Sequence, residues 1–365
     1  MSLSVSGLLH YYVWLRLVRR AQLPRNVYGI LTVLVVVMWL SIPVTTSSRL
    51  WAPTFASVFA WVAMPWMAFV GLCAMALLVL EIPRRVVKTD PARRQFLARV
   101  TGGTAAVVAG ASVARGVASA RGEHDVVDVE VTLPKLPKHL DGFSIVQLSD
   151  LHTGLTIGRD FVQRVVDRTN ALSPDLIALT GDLVDGPVAD IRDDVAPLAQ
   201  LRAKHGVFAI TGNHEYYAGV EPWVAEITRL GARYLRYDMV TIAGGFDLAG
   251  IDDHSAPVTR ATLAAFDAQM AARDRSRPLV VLAHQPRQIE QTAKWGTHLQ
   301  LSGHTHGGQI WPWHYIVRFQ QSGYLAGRYQ VNATQLYVTR GCGYWGPPVR
   351  LLAPLEITRV ILRAA

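Results

Sequence analysis

The sequence predicts an α/β domain carried behind an N-terminal, helical membrane region. Three observations predict it. Long apolar runs bordered by arginines are confined to the first 124 residues. From Val126 onward, short β-type runs alternate with helical stretches. Small groups of Asp, His and Asn fall where those β-type runs stop. A chain of 365 residues has room for both parts. Charge divides along the same line. Residues 1–124 carry thirteen Arg/Lys against three acidic residues, a net +10; the whole chain is +9, which leaves residues 125–365 at −1. A nucleic-acid reader would show its basic excess on the folded domain. Here the excess sits beside apolar segments, where positive charge sets membrane orientation. A membrane is therefore expected as a partner, and nucleic acid is not. The two cysteines, Cys73 in an apolar run and Cys342 in a late Gly-rich loop, are not expected to pair, and a domain of this size needs no such staple.

Val27–Val44 and Phe55–Leu80 are each long and apolar enough to span a bilayer. Arg16, Arg19, Arg20 and Arg25 precede the first; Arg84, Arg85, Lys88, Arg93, Arg94 and Arg99 follow the second; Arg49 is the only charge in the link. The positive-inside rule puts both ends of this hairpin in the cytoplasm. Residues 7–18 are apolar too, but Arg16 and the short length argue against a full span. A third segment, 93–120, begins Arg93-Arg94-Gln95-Phe96-Leu97 and ends Ala118-Ser119-Ala120. It resembles a twin-arginine export signal placed internally, or else is a small-residue spanning helix. In both readings the chain after Ala120 lies on the far side of the membrane; if the segment does not cross, it stays in the cytoplasm.

The domain at 125–365 is read in order. Asp125–Leu133 is an edge strand ended by Pro134 and Pro137. Phe143–Leu148 is a strand ending at Asp150 and His152. Arg159–Ala171 is a helix with Phe161, Val165 and Val166 on one face. Leu176–Leu179 ends at Gly181-Asp182, Asp190–Ala203 is helical, and Val207–Ile210 ends at Gly212-Asn213-His214. Trp223–Leu230 is helical, Phe246–Ala249 is a strand, and Ala261–Ala272 is helical. Leu279–Leu282 ends at His284 and Leu299–Leu301 at Gly303-His304, while Leu336–Val338 and Ile357–Leu362 close the domain. In α/β sheets ligands bind beyond the carboxyl ends of strands, and every motif falls there.

The motif residues Asp150, His152, Asp182, Asn213, His284, His304 and His306 are hard oxygen or imidazole donors with no cysteine among them. Such a set suits Mn²⁺, Fe²⁺ or Zn²⁺. Seven are too many for one catalytic ion and about right for two sharing a carboxylate.

The series Asp150-Leu-His152, Gly181-Asp182-Leu-Val-Asp185, Gly212-Asn213-His214-Glu215, His284 and Gly303-His304-Thr-His306 resembles the calcineurin-like metallophosphoesterase superfamily over essentially all of 125–365. The hairpin, the Arg-Arg-x-Phe-Leu segment, His306-Gly-Gly-Gln309 and Arg340-Gly-Cys-Gly-Tyr-Trp-Gly-Pro-Pro are similar to its membrane-associated bacterial phosphodiesterases, some of which act on sugar-nucleotide lipid precursors. The resemblance implies a four-layer α/β/β/α sandwich at the bacterial inner membrane, with the catalytic domain on the periplasmic side. It implies that Asp150, His152 and His306 hold one ion, Asn213, His284 and His304 the other, and that Asp182 bridges them. A hydroxide between the ions would attack a phosphate ester, possible substrates being amphipathic or lipid-linked, with no covalent intermediate. His214 is cast as phosphate contact or leaving-group acid, oriented by Asp185, and Glu215 as a brace for its loop. His254, His298 and His314 fit no slot and are read as ordinary loop or surface histidines.

The reading is a phosphodiesterase or pyrophosphatase; a phosphomonoesterase of the same fold and a non-catalytic metal-dependent sensor are the alternatives. The family's protein phosphatases carry Arg directly after the second Asp of Gly-Asp-x-x-Asp, whereas Gly186 stands here, which argues against a phosphoprotein substrate. The segment 310–329, rich in Trp, Tyr and Phe, follows a metal motif and is expected to overhang the site, either gripping substrate or packing onto its own domain. Arg318 within it and Arg340 near the Gly-rich loop are candidate phosphate contacts.

Overall fold

The computed structural model describes residues 3–48, 52–86 and 90–365. Arg49 and Lys88, two of the flanking charges, lie outside the described residues, as do the side chains of Arg84 and Arg85. The chain divides into two compact units, Met1–Arg121 with Gly346–Leu351, and Gly122–Trp345 with Leu352–Ala365.

The first unit is helical: α1 (Leu3–Trp14), α2 (Arg25–Ser48), α3 (Pro53–Val86) and α4 (Pro91–Ala120). The 24 residues of α2 are about 36 Å long at 1.5 Å per residue, enough for a hydrocarbon core of roughly 30 Å. Helices α2, α3 and α4 are each long and apolar enough to cross a membrane. Asp90 caps α4 by accepting the Arg93 N–H at 3.0 Å, and Pro91 opens the helix. The paired arginines thus sit in the first turn of one unbroken 30-residue helix. Helix α1 has only 12 residues before the π-helical turn Leu15–Arg19. Arg16, in that turn, is buried and forms an ion pair with Glu81 of α3, which also accepts from the Tyr12 hydroxyl. Charges among apolar helices need such partners.

The second unit is built on two six-stranded sheets. In the first, β1 (Asp125–Leu133) pairs in parallel with β12 (Glu356–Ala364). Strand β12 runs antiparallel to β2 (Ser144–Leu148), and β3 (Leu176–Leu179), β4 (Val207–Ala209) and β5 (Ala232–Tyr234) continue parallel. The second has the order β10 (Gly327–Val331), β11 (Thr334–Val338), β9 (Leu299–Ser302), β8 (Leu279–Leu282), β7 (Phe246–Gly250), β6 (Asp238–Ile242), antiparallel only at its two ends.

Side-chain alternation sorts each strand into two faces. Ile145, Leu176, Ala178 and Phe208 of the first sheet share one core with Phe246, Leu248, Val280, Leu301 and Tyr337 of the second. The other face of the second sheet, Ala249, Leu279 and Val281, packs on Phe266 and Met270 of α9 (Arg260–Ala272) and on Trp295. On the first sheet the alternate set Val146, Leu148, Ile177 and Leu179 is also buried, and α5 (Arg159–Ala171), α6 (Val188–Val195) and α8 (Val220–Arg229) supply the outer layer. The unit is a four-layer α/β/β/α sandwich.

The structure departs from the sequence reading in identifiable ways. The helix expected over 190–203 stops at Val195 and becomes a 3₁₀ turn over Ala196–Gln200. Pro197 is the cause, since it lacks an N–H and its ring crowds the preceding turn. Strands β5, β6 and β10 were not expected. They are short or half-buried edge strands, so the apolar alternation that marks a strand is weak in them. Three short helices, α7 (Asn213–Ala218), α10 (Ile289–Thr292) and α11 (His314–Gln320), are similarly additional.

Phe246 lies fully buried between the sheets, edge-on to Phe143 at 5.3 Å between ring centroids. Phe246→Ala should destabilise the second unit by about 3–5 kcal/mol through lost transfer energy and a cavity. Denaturant unfolding followed by circular dichroism measures this, and a loss below about 1 kcal/mol would mean that the inter-sheet core collapses around the gap.

Candidate metal centre

Two ligand loops run side by side beyond β2 and β3. The Asp150 N–H donates to Gly181 O at 3.0 Å, His152 N–H to Asp182 O at 3.0 Å and Thr153 N–H to Leu183 O at 3.0 Å. A third loop, after β9, closes on the first: the His304 N–H donates to both Asp150 carboxylate oxygens at 2.9 and 3.1 Å. This approach requires Gly303, where an added Cβ would stand 2.0 Å from Ser149 Oγ and 2.3 Å from Asp150 Oδ2. Asp150, His152, Asp182, His304 and His306 all have φ between +51° and +71°. Non-glycine residues in this region carry strain, which persists where surrounding structure over-determines it.

Ring nitrogens are allotted by hydrogen bonding. His152 Nδ1 is 2.8 Å from Asp185 Oδ1, leaving Nε2, which stands 3.0 Å from His306 Nε2. His306 Nε2 is 3.5 Å from Asp150 Oδ1. His284 Nδ1 meets Thr180 O at 2.8 Å, so Nε2 faces Asp182 Oδ2 at 3.0 Å and His304 Nδ1 at 3.2 Å. Among the described residues three groups can place their donor atoms within 4.8 Å of one another: Asp150/His152/His306, Asp182/His284/His304, and His152/Asp185/His214, which shares His152 with the first. Asp182 Oδ2 also stands 3.7 Å from His152 Nε2, so one oxygen faces the first two groups. Its other oxygen, Oδ1, accepts the His214 N–H at 2.9 Å.

The donors fit divalent ions. Asn213 Oδ1 is buried with no hydrogen-bond partner among the described residues; a buried amide oxygen is stable only when something occupies it. Burial works to raise the Asp182 pKa, yet the imidazoles of His284, His152 and His214 together hold its carboxyl well below the usual carboxylate range. Burial, with His284 beside it, pushes His304 down to about 4, so the ring is neutral and able to ligate. At His152 burial is overcome by Asp185, Asp182 and Asp150, which hold the imidazole at about 9. The carboxylates thus favour positive charge at that place, which a divalent ion supplies in exchange for the proton.

Around this set lie groups whose full contacts only the structure displays. Asp185 Oδ1 contacts His214 Nδ1 at 2.6 Å as well as His152 Nδ1, so it orients a ligand and not His214 alone. Glu215, 1% exposed, accepts from Asp182 N–H at 3.0 Å, Gly212 N–H at 2.6 Å and Leu183 N–H at 2.7 Å, bracing two ligand loops at once. The glycine-rich loop grips the first ligand loop through Cys342 N–H to Ser149 O at 2.8 Å and Gly343 N–H to Asp150 O at 2.9 Å. Tyr217 and Trp345, both exposed, flank His214 with ring centroids at 5.3 and 5.9 Å. Trp345 belongs to the Gly-rich segment that the sequence singled out and Tyr217 to no motif, but the packing of either against His214 is fixed only by folding.

Of the two candidate phosphate contacts, Arg340 binds Glu356 through Nη1 at 2.6 Å, and Arg318 donates Nε–H to Gly323 O at 3.1 Å within the segment 310–329, the expected lid. The lid aromatics divide. Tyr324 and Tyr329 pack against Ile289, Leu336 and Val338, while Trp311, Trp313, Tyr315 and Phe319 are exposed. His298 Nδ1 accepts the Leu279 N–H at 3.1 Å, and His254 is exposed.

Oxygen and imidazole donors gathered at one end of a two-sheet sandwich form groups able to hold metal ions. The model of the calcineurin-like phosphoesterase family matches residues 143–308. A metallophosphoesterase of Bacillus subtilis, YkuE, is 33% identical over 286 residues, covering 74% of this chain and 98% of that protein. A Helicobacter pylori metallophosphoesterase is 38% identical over 234 residues, and a zebrafish transmembrane protein with a metallophosphoesterase domain is 37% identical over 262. These alignments cover 64% and 68% of this chain and 62% and 60% of the relatives, so the chain spans about three-fifths of their length. The chain belongs to the calcineurin-like metallophosphoesterases.

Asp185→Ala should loosen both imidazoles it contacts. Loss of a group that orients a metal-bound histidine typically costs 10–100-fold in metal affinity. Titration with Mn²⁺ by calorimetry should show that loss; unchanged affinity would confine Asp185 to His214.

Proposed function

We propose that this chain is a membrane-tethered, dinuclear phosphohydrolase acting on phosphodiesters or pyrophosphates. The observation that carries the reading is the approach of His152 and His284, from different donor groups, to the same oxygen of Asp182; the buried, unpartnered Asn213 Oδ1 supports it. Asp150, His152 and His306 would hold one ion, Asn213, His284 and His304 the other, with Asp182 common to both; Mn, Fe and Zn all suit such donors. When bound, the ions supply charge that polarises a phosphoryl group and acidifies a water. His214 has Nδ1 committed to Asp185, so Nε2 is the atom through which it contacts phosphate or gives a proton to the leaving oxygen. Arg318 and Arg340 are the cationic groups proposed to meet substrate phosphate. Gly186 in place of Arg disfavours a phosphoprotein substrate.

Helices α2, α3 and α4 support the tether, as does the zebrafish relative described as a transmembrane protein. Arginines before α2 and at the start of α4 favour a cytoplasmic position for both. Helix α4 would then carry the chain across the bacterial inner membrane to the periplasmic side.

Full-length protein loaded with Mn²⁺ should hydrolyse bis-p-nitrophenyl phosphate, and chelation should abolish this. Turnover of p-nitrophenyl phosphate alone would make the chain a monoesterase; metal bound without turnover of either would make it a sensor. For the roles, Asp182→Ala should lose both ions by elemental analysis. His214→Ala should keep its ions and lose roughly 10²–10⁴-fold in kcat; full activity in that variant would refute the assignment.

A further inference from the structure

The second unit carries an apolar surface that neither its core nor its metal centre uses. Within nine residues, Trp311 is 49% exposed, Trp313 47%, Tyr315 66%, Ile316 46% and Phe319 86%. They occupy α11 and the turn that leads into it, and no residue of α11 is buried. Tyr315, Ile316 and Phe319 fall on one side of the helix, since positions three and four apart are neighbours. The lid does not need these side chains for its own seating, because Tyr324 and Tyr329 anchor it on Ile289, Leu336 and Val338.

Its charge is one-sided. Residues 310–329 contain Arg318 and Arg328 and no acidic residue. Exposed Trp, Tyr and Phe on a short helix with arginine and no acid is the composition of a segment lying at an anionic membrane–water interface. A bilayer is the partner the same chain brings within reach, since three of its helices are membrane-length. The geometry points to α11 and the preceding turn as a membrane-surface anchor that seats the catalytic unit on anionic headgroups.

The anchor is joined to the metal centre at both ends. Gly308, two residues after His306, lets His314 at the start of α11 lie directly over it; an added Cβ there would stand 2.3 Å from His314 Cβ. At the far end, the hydroxyl of Thr305, between His304 and His306, donates to Leu325 O. The segment 310–329 and the His304–His306 loop are thus in direct contact at two places. Resting on the phosphohydrolase reading, the consequence is that the chain draws phosphodiesters with acyl chains directly from the bilayer surface.

The test uses the full-length protein in vesicles of phosphatidylcholine and phosphatidylglycerol, 3:1, a probe composition of about this charge sufficing for interfacial binding. Phe319→Cys is labelled with a nitroxide; the native Cys73 and Cys342 are buried, and an unsubstituted control checks that they stay unlabelled. Collisions with oxygen, which partitions into lipid, should exceed collisions with a water-soluble nickel chelate. A nitroxide fully open to nickel would overturn the anchor, and one shielded from both reagents would replace the bilayer with a protein contact. A second arm compares kcat/KM of Phe319→Asp on two substrates. Soluble bis-p-nitrophenyl phosphate should be hydrolysed as by the parent, while a vesicle-embedded, single-chain phosphodiester should lose about tenfold or more. Equal losses on both would make α11 part of the site itself. If the parent hydrolyses neither, the phosphohydrolase reading fails while the nitroxide depth still decides the anchor.

Discussion

Removing a carboxylate from water costs free energy unless positive charge or hydrogen-bond donors meet it. Asp182, 2% exposed, is the place where this constraint shapes the second unit. Its Oδ1 is satisfied by a backbone N–H, and its Oδ2 lies between His284 and His152. Immediately behind it, Glu215 is a second buried carboxylate. Burial, then the nearness of Asp182, push the Glu215 pKa up, and three backbone N–H groups work against that. Two acids so close together repel when both are ionised. The imidazoles relieve this in part, and divalent ions at the same place relieve it further, so metal binding and the stability of these loops are coupled.

The loops are not free to choose easier conformations. Five of the seven metal-motif residues sit in the left-handed backbone region. What holds them there is the pairing of loop with loop continued past the ends of β2 and β3, and the grip of the Cys342–Gly343 segment on the Ser149–Asp150 backbone. Strain is concentrated where rigid elements end, which preorganises the donors. Asp185 contacts His152 and His214 through one oxygen atom, so the orientations of both imidazoles are set by the same side chain.

The two units answer to different solvents. In the first, apolar side chains face outward along α2 and α3, and the Arg16–Glu81 pair is a local solution to charge among apolar helices. In the second, apolar residues turn inward to two sheets and their helices; among the exposed exceptions, Trp311, Trp313, Tyr315, Ile316 and Phe319 gather on α11 and the turn before it, while Tyr217, Trp345 and Leu352 lie elsewhere.

The sequence by itself determined the architecture and the donors. Apolar runs with flanking arginines marked α2, α3 and α4 within a few residues, and short, largely apolar runs marked β2, β3, β8 and β9, because those strands are buried on both faces. Asp150, His152, Asp182, Asn213, His284, His304 and His306 could be named as candidate donors because chemistry restricts metal donors to few residue types at strand ends. Edge strands β5, β6 and β10 were not, since half-buried strands tolerate almost any pattern. Tertiary structure alone decided that Asp182 shares one oxygen, that Asp185 serves two histidines, and that Tyr217 and Trp345 flank His214. Local sequence governs backbone preference and side-chain chemistry. Contacts between residues far apart in the chain, such as Ser149 with Cys342, exist only once the sheets have packed.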